Sequence, residues 1–286
     1  DVPLENSFFE GFFKEMVNFM RVLFETALKT NSSLEFSVIT GCLRISKESV
    51  FTGLNNLKVI SILDDRYGEY FGFTDEEIIH LCKDYHIEEK YEVIKEWYNG
   101  YNFGQANVYN PWSAIQYIGD LKNNINRMPK SYWANTSSNS IVKSLIERAD
   151  DITKGEIEAL IEGKTIEKII HEDITYDEVY DSMDNLWNFM FFTGYFKNIN
   201  ERMDDGDNRL IELAIPNREV KYIFKNKILT WFKEQIKISD RTKMFNAVIN
   251  KDAEVFEEEL NNLLLETISF NDAYENFYHG FLAGVL

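Results

Sequence analysis

The segment 177–215, DEVYDSMDNLWNFMFFTGYFKNINERMDDGDNRLIELAI, decides how the fold is interpreted. Its first part, Asp177–Phe192, is strongly apolar at helical spacing and predicts a buried helix. Two strand-like stretches follow, Gly194–Arg202 and Arg209–Ile215, on either side of the polar sequence Met203–Asn208. Because that polar sequence contains Asp-Gly, the pattern predicts a β-hairpin. We therefore expect a mainly α fold with a minor β component.

The sequence on both sides of this segment is helical in pattern. Upstream, Ile157–Glu162 predicts a short helix and Thr165–Ile170 a strand, so helices precede the hairpin in the order of a winged-helix module. We interpret 151–225 as a winged-helix-like region and 226–286 as a helical C-terminal region. Further helices are predicted at 217–237, 240–249 and 252–266.

Residues 61–150 predict a second helical region. Thr74–Glu77 has the form of a capping box and opens a helix that continues to Tyr85. Asn110 and Pro111 suit the N-cap and first position of a helix over 111–122. Two more helices are predicted, over 88–99 and 138–149.

The first 60 residues predict one helix and one strand. Apolar residues recur at helical spacing through 5–29, and Leu34–Thr40 (LEFSVIT) has the composition of a short buried strand. A helix followed by a single apolar strand resembles a βαβ unit that lacks its first strand. Because such a strand needs partners on both sides, and because the chain begins at Asp1 without Met, we expect further sheet upstream.

The composition argues against several classes of protein. Of the 286 residues 44% are hydrophobic, which disfavours a disordered chain, and the net charge of -18 disfavours tight nucleic-acid binding. Two cysteines, Cys42 and Cys82, make no disulfide framework and are typical of a reducing cytoplasm. No run of 18 apolar residues occurs, so we expect no membrane span. The four scattered histidines predict no metal site.

Two short motifs could bind a nucleotide. Gly163-Lys164-Thr165 matches the end of a P-loop, but Glu158 occupies the position of the required glycine, so we interpret the motif as a helix stop. Thr40 ends the predicted strand, where α/β proteins collect nucleotide-binding groups, and Arg44 follows it. Thr40 could sense a γ-phosphate and Arg44 could neutralise phosphate charge. The alternative is a strand cap and a structural ion pair.

An aromatic and glycine cluster occupies Tyr98–Gly104 and Val108–Ser113. Aromatic rings can stack on a base, and glycine allows close approach of the backbone. The alternative is that this cluster packs within its own domain.

Nine short strings are distributed along the chain. They are DVPL (1–4), ITGCLRISKES (39–49), FTGLNN (51–56), YFGFT (70–74), YNGYNFG (98–104), YNPWS (109–113), YWANTSSNS (132–140), FTGY (192–195) and IPNREV (215–220). Together they resemble the bacterial AAA-ATPase-like family that carries a C-terminal PD-(D/E)XK nuclease-like domain. The resemblance covers 1–225, and Glu275–Leu286 resembles the first helix of the attached nuclease-like domain.

The resemblance implies a role for three residues. In this family the Walker B strand ends in Asp-Glu-Tyr-Asp before Val-Pro-Leu, so only its last carboxylate, Asp1, would be in this chain, and the P-loop would lie further upstream. Thr40 falls at the sensor-1 position and Arg44 on the same loop. The resemblance therefore implies that Asp1, Thr40 and Arg44 contribute to a nucleotide site. ATP and Mg are the cofactors implied for the intact parent, and none is expected for this chain alone.

The same resemblance implies the organisation and function. It divides the chain into a remnant of a P-loop ATPase core (1–60), a helical lid (61–150), the winged-helix-like region and the C-terminal helices. We expect a non-catalytic fragment of a cytoplasmic protein that couples ATP hydrolysis to the nuclease-like domain, with the ATPase core and that domain as partners in cis. Two alternatives remain: a helical regulatory or protein-interaction module, and a DNA-binding winged-helix module, because 217–237 is rich in Lys and Arg.

Overall fold

The computed structural model describes residues 2–29, 31–41, 57–133, 149–172, 182–226 and 242–267. Within these ranges the fold is mainly α with two small antiparallel sheets, which confirms the predicted class. The helices are α1 (Val2–Phe9), α2 (Phe13–Leu28), α3 (Asp75–Asp84), α4 (Tyr91–Tyr98), α5 (Pro111–Asn123), α6 (Asp151–Glu162), α7 (Met183–Phe192), α8 (218–226), α9 (Thr242–Asn250) and α10 (Ala253–Thr267), with short 3-10 turns at Gly68–Tyr70 and Glu88–Lys90.

The helix predicted over 5–29 is divided into α1 and α2. The division falls at Gly11, whose φ of 83° is a left-handed conformation that glycine adopts without strain. On α2 the side chains of Phe13 and Val17 are buried, whereas Phe19 and Val22 are exposed. Only one of the apolar faces of this helix is therefore covered by described residues.

The strand predicted at Leu34–Thr40 is not formed, and this prediction is wrong. Residues 31–41 contain no strand, and Phe36 and Val38 in the middle of the segment are exposed. A strand is stable only where its N–H and C=O groups pair with a neighbour. No described strand lies beside 34–40, so its apolar composition alone does not produce one.

The two sheets are both small. In the first, β1 (Tyr101–Phe103) pairs with β2 (Ala106–Val108) in a hairpin that the helical prediction for 61–150 did not include. In the second, β3 (Ile166–Ile169), β4 (Lys197–Met203) and β5 (Arg209–Ala214) are arranged in the order β3-β5-β4. The β4–β5 pair confirms the hairpin predicted from Asp-Gly, and Asp204 closes its turn by accepting hydrogen bonds from the Gly206 and Asn208 amides.

Local capping chemistry fixes the starts of α3 and α5. Thr74 and Glu77 form the predicted capping box, and the Asn110 side chain accepts from the Ser113 amide with Pro111 in the first turn. Both predictions of helix starts are confirmed, because each depends on residues only three positions apart.

The described residues form two hydrophobic cores. The smaller one joins α3, α4 and α5 around Ile78, Ile94 and Tyr117. The larger one is built around Trp187 of α7 and takes further side chains from α1, α2, α6, β5 and α8, as well as Tyr101 of β1. Among the residues described, no helix has the length and apolar character that crossing a bilayer requires.

Candidate functional site

The nucleotide-binding residues predicted from sequence are not brought together by the described structure. Thr40 is exposed in an irregular segment, and Asp1 and Arg44 lie outside the described residues. Gly163 ends α6 with a φ of 100°, and the Gly163 and Lys164 amides bond back to carbonyls of that helix, which confirms the helix-stop interpretation of Gly-Lys-Thr. Within the described ranges, no cluster of His, Cys, Asp and Glu has the geometry to hold a metal ion.

The aromatic and glycine cluster packs into the protein. Tyr98, Tyr101 and Tyr109 are buried, so their rings are not available for stacking on a base. The Tyr98 hydroxyl donates to the Lys130 carbonyl, and its ring lies 5.6 Å from that of Tyr117. Of the two interpretations, packing within the domain is the one that the structure supports for these three tyrosines.

A buried carboxylate, Glu219, lies where the two cores meet. Its Oε1 accepts three hydrogen bonds, from the Tyr132 amide at 2.7 Å, the Trp133 amide at 2.9 Å and the Ser113 hydroxyl at 3.0 Å. Glu219 itself is 0% exposed. The donors are separated from Glu219 by 86 to 106 positions in sequence, so this one oxygen connects α8 to α5 and to the 132–133 segment.

The electrostatics of Glu219 reflect two opposing effects. Burial raises the pKa of its carboxyl group, and the hydrogen bonds from Trp133, Ser113 and Tyr132, together with the side chain of Ser131, partly lower it again. Its Oε2 atom makes no hydrogen bond within the described structure. Glu219 also occupies the first turn of α8, where the helix dipole favours a negative charge.

Tyr101, whose pKa is affected by the charge of Glu219, is a second buried residue with a polar atom that lacks a hydrogen-bond partner. Its hydroxyl makes no well-formed hydrogen bond to a described residue, although it lies close enough to Asn110 and Asn217 for these to lower its pKa. Burial and the charge of Glu219 outweigh them and raise the pKa of Tyr101. The phenol therefore stays neutral.

The residues beside Glu219 strengthen the same contact. Asn217 caps α8 by accepting from the Val220 amide, and its Nδ2 donates to the Asn99 carbonyl at 2.9 Å. Gly100, with a φ of 101°, lies so close to the Pro216 carbonyl oxygen that a Cβ atom would overlap it. We call Pro216–Glu219, together with Asn99–Tyr101, Ser113, Tyr132 and Trp133, the Glu219 junction.

The Glu219 junction is suited to holding two helical units in a fixed register, because a buried charge tolerates few alternative positions. Sequence reasoning did not single out Glu219. The residue lies in IPNREV, one of the strings that carry the family resemblance, but its partners are nonlocal and no spacing rule identifies them. The one local signal was Asn217, a typical helix N-cap two positions earlier.

The chain is similar to one curated protein, described as "Uncharacterized protein in vnfD 5'region", from Azotobacter chroococcum mcd 1. The two are 24% identical over 216 residues, which is 76% of this chain. The match spans only 38% of the length of that relative. No family model matches the chain, and no solved structure matches it.

Proposed function

We propose that this chain is the coupling region of a larger AAA-ATPase-like protein. In this proposal ATP binding and hydrolysis, at a site to which Asp1, Thr40 and Arg44 contribute, moves the helical lid against the winged-helix-like region and so gates a nuclease-like domain. The observation that carries the proposal is the Glu219 junction, because it is a buried polar contact between the lid helices and α8. Contacts of this kind have discrete arrangements, which is what a coupled motion requires.

Two further observations support the proposal. The sheet order β3-β5-β4, with α6 before β3 and α7 before the β4–β5 hairpin, fits the winged-helix interpretation. Phe36 and Val38 expose large apolar side chains in the segment 34–40, which fits a surface that another part of the parent protein would cover. The relative from Azotobacter is much longer than the aligned region, which leaves room for such a part.

The experiment uses the longest product of the gene. We expect it to hydrolyse ATP, and we expect Arg44→Ala to abolish that activity. Ser113→Ala, which removes a single donor to Glu219, should leave hydrolysis intact but reduce the effect of ATP on DNA cleavage by about tenfold, a coupling change of about 1.4 kcal/mol. An exposed substitution on α8, Tyr222→Ala, is the matched control. A product without ATPase activity, or cleavage that responds to ATP equally in all variants, contradicts the proposal.

Of the two alternatives, protein interaction has the stronger structural support. The aromatic side chains of Tyr67, Tyr70 and Phe71 are exposed together on one loop. DNA binding has less support, because Arg218 at the start of α8 is already paired with Glu96 and the β4–β5 turn carries three aspartates. A salt-dependent gel shift with duplex DNA separates the two, since only the DNA-binding interpretation predicts one.

A further inference from the structure

The loop that precedes α3 presents three aromatic side chains to solvent. Tyr67 is 57% exposed, Tyr70 80% and Phe71 55%, and the first two rings meet edge to face with centroids 6.2 Å apart. Exposed aromatic residues that occur together are typical of interaction sites, whereas single exposed apolar residues are ordinary.

This loop is held rigidly by glycines. Gly68 is buried so tightly against the Phe103 carbonyl oxygen that no Cβ atom could be added, and Gly104 packs in the same way against the backbone of Asp64. The Gly104 amide donates to the Ile62 carbonyl at 2.8 Å, which ties the loop to the β1–β2 hairpin. Tyr67 has a φ of 64°, a strained value for a side chain of this size. A fixed loop loses little conformational entropy when a partner binds to it.

The charges beside the rings favour a cationic partner. An open depression of about 330 Å³ is lined by residues that include the aromatic Tyr67 and Tyr70, the polar Gln105 and the acidic Asp65 and Glu69. Neither carboxylate has a hydrogen bond or ion pair in the described structure, and neither does the nearby Arg66, which does not line the depression. Rings and carboxylates together bind guanidinium and ammonium groups, by cation–π contact and by ion pairing.

We propose that the depression formed by Asp65, Tyr67, Glu69 and Tyr70 is a docking site for a peptide segment of a partner protein that carries arginine or lysine beside an apolar residue. The cationic group would lie over the tyrosine rings and pair with a carboxylate, while the apolar residue would contact Phe71. Arginine fits better than lysine, because its planar guanidinium both stacks on a ring and binds a carboxylate through two hydrogen bonds. This site does not depend on a nucleotide role for the chain.

The test measures fluorescence polarisation of a short fluorescein-labelled peptide with two arginines around a leucine. We expect it to bind at least about tenfold more tightly than its glutamate counterpart. Because a chain of net charge -18 attracts any basic peptide weakly, the deciding comparison is between two exposed tyrosines. Tyr70→Ala should weaken binding about fivefold, whereas Tyr222→Ala on α8 should leave it unchanged. Glu69→Gln should weaken binding about threefold and reduce its salt dependence.

Circular dichroism of the variants provides the folding control, and these exposed positions should leave the spectrum unchanged. The proposal is overturned if Tyr70→Ala and Tyr222→Ala bind the arginine peptide equally, or if the glutamate peptide binds as well as the arginine peptide. It is also overturned if no peptide binds at concentrations up to about 1 mM, which corresponds to a negligible affinity. Tighter binding of a single-stranded oligonucleotide than of the arginine peptide would assign the rings to base stacking instead.

Discussion

Replacing Glu219 by alanine removes the acceptor of three hydrogen bonds at once, one of them buried and two partly buried. The Tyr132 and Trp133 amides and the Ser113 hydroxyl would each lose their partner, and an unpaired buried donor costs about 1–3 kcal/mol. Part of this loss is offset, because the variant no longer has to desolvate a charge and because water can reach the half-buried 132–133 segment. We expect Glu219→Ala to lower the free energy of unfolding by roughly 3–4 kcal/mol.

Replacing Glu219 by glutamine separates the acceptor from the charge. The amide oxygen can accept the same three hydrogen bonds, but the amide nitrogen takes the position of Oε2, where no described residue accepts its hydrogens. Because an unpaired buried donor costs about 1–3 kcal/mol, Glu219→Gln should lose roughly 1–2 kcal/mol, less than Glu219→Ala. Urea unfolding followed by tryptophan fluorescence measures both, with Glu76→Ala on the exposed face of α3 as control. An alanine variant as stable as the control, or a glutamine variant as unstable as the alanine one, refutes the role given to the Oε1 atom.

The pH dependence of the same comparison has a definite sign. Burial raises the pKa of Glu219 above its ordinary value of 4.5, so the folded state binds this proton more tightly than the unfolded state. The associated stability is fully present below pH 4.5 and is lost as the pH rises through the raised value. The stability of the wild type relative to Glu219→Gln should therefore decrease as the pH increases through this window. A difference that does not change with pH would show that folding does not shift this pKa, and a difference that rises with pH would show that the folded state stabilises the carboxylate; either result contradicts the expectation.

Three further outcomes are expected in the same unfolding assay. Gly100→Ala should cost roughly 2–4 kcal/mol, since its left-handed backbone and its contact with the Pro216 carbonyl both exclude a Cβ atom; a loss under about 1 kcal/mol would contradict the packing. Thr74→Ala should lower the free energy of unfolding by about 1 kcal/mol, because the capping box is lost. Thr74→Ser keeps the capping hydroxyl and should retain most of the wild-type stability. Burial raises the pKa of Asp75, but hydrogen bonds from Tyr109 and Tyr91 more than offset this effect, so the pKa lies below 3.8. The stability that the Asp75 carboxylate contributes should therefore be present above pH 3.8 and be lost on acidification, and Asp75→Asn should not show this loss.

Local chemistry explains which parts of the fold could be predicted. The β4–β5 hairpin and the starts of α3 and α5 depend on residues within a few positions of one another, and the sequence predicts all three. The division of the first helix at Gly11 was missed, because a single glycine inside an apolar helical pattern is compatible with either outcome. The strand predicted at Leu34–Thr40 is wrong. Apolar composition indicates that a segment can be buried, but it does not indicate whether a neighbouring strand is present to pair with it.

The candidate site shows the same limit at longer range. Glu219 is charged and lies in the first turn of a helix. The sequence pattern predicts that a glutamate at such a position is exposed to solvent. What makes it unusual is the pair of amides at 132–133 and the hydroxyl of Ser113, which only the folded chain brings to it. The string IPNREV therefore combines local and nonlocal roles: Asn217 begins the helix by a contact three residues away, and Glu219 fixes that helix to another core. A residue with both a buried charge and distant donors constrains the relative position of two units, and that constraint is where a coupling mechanism would act.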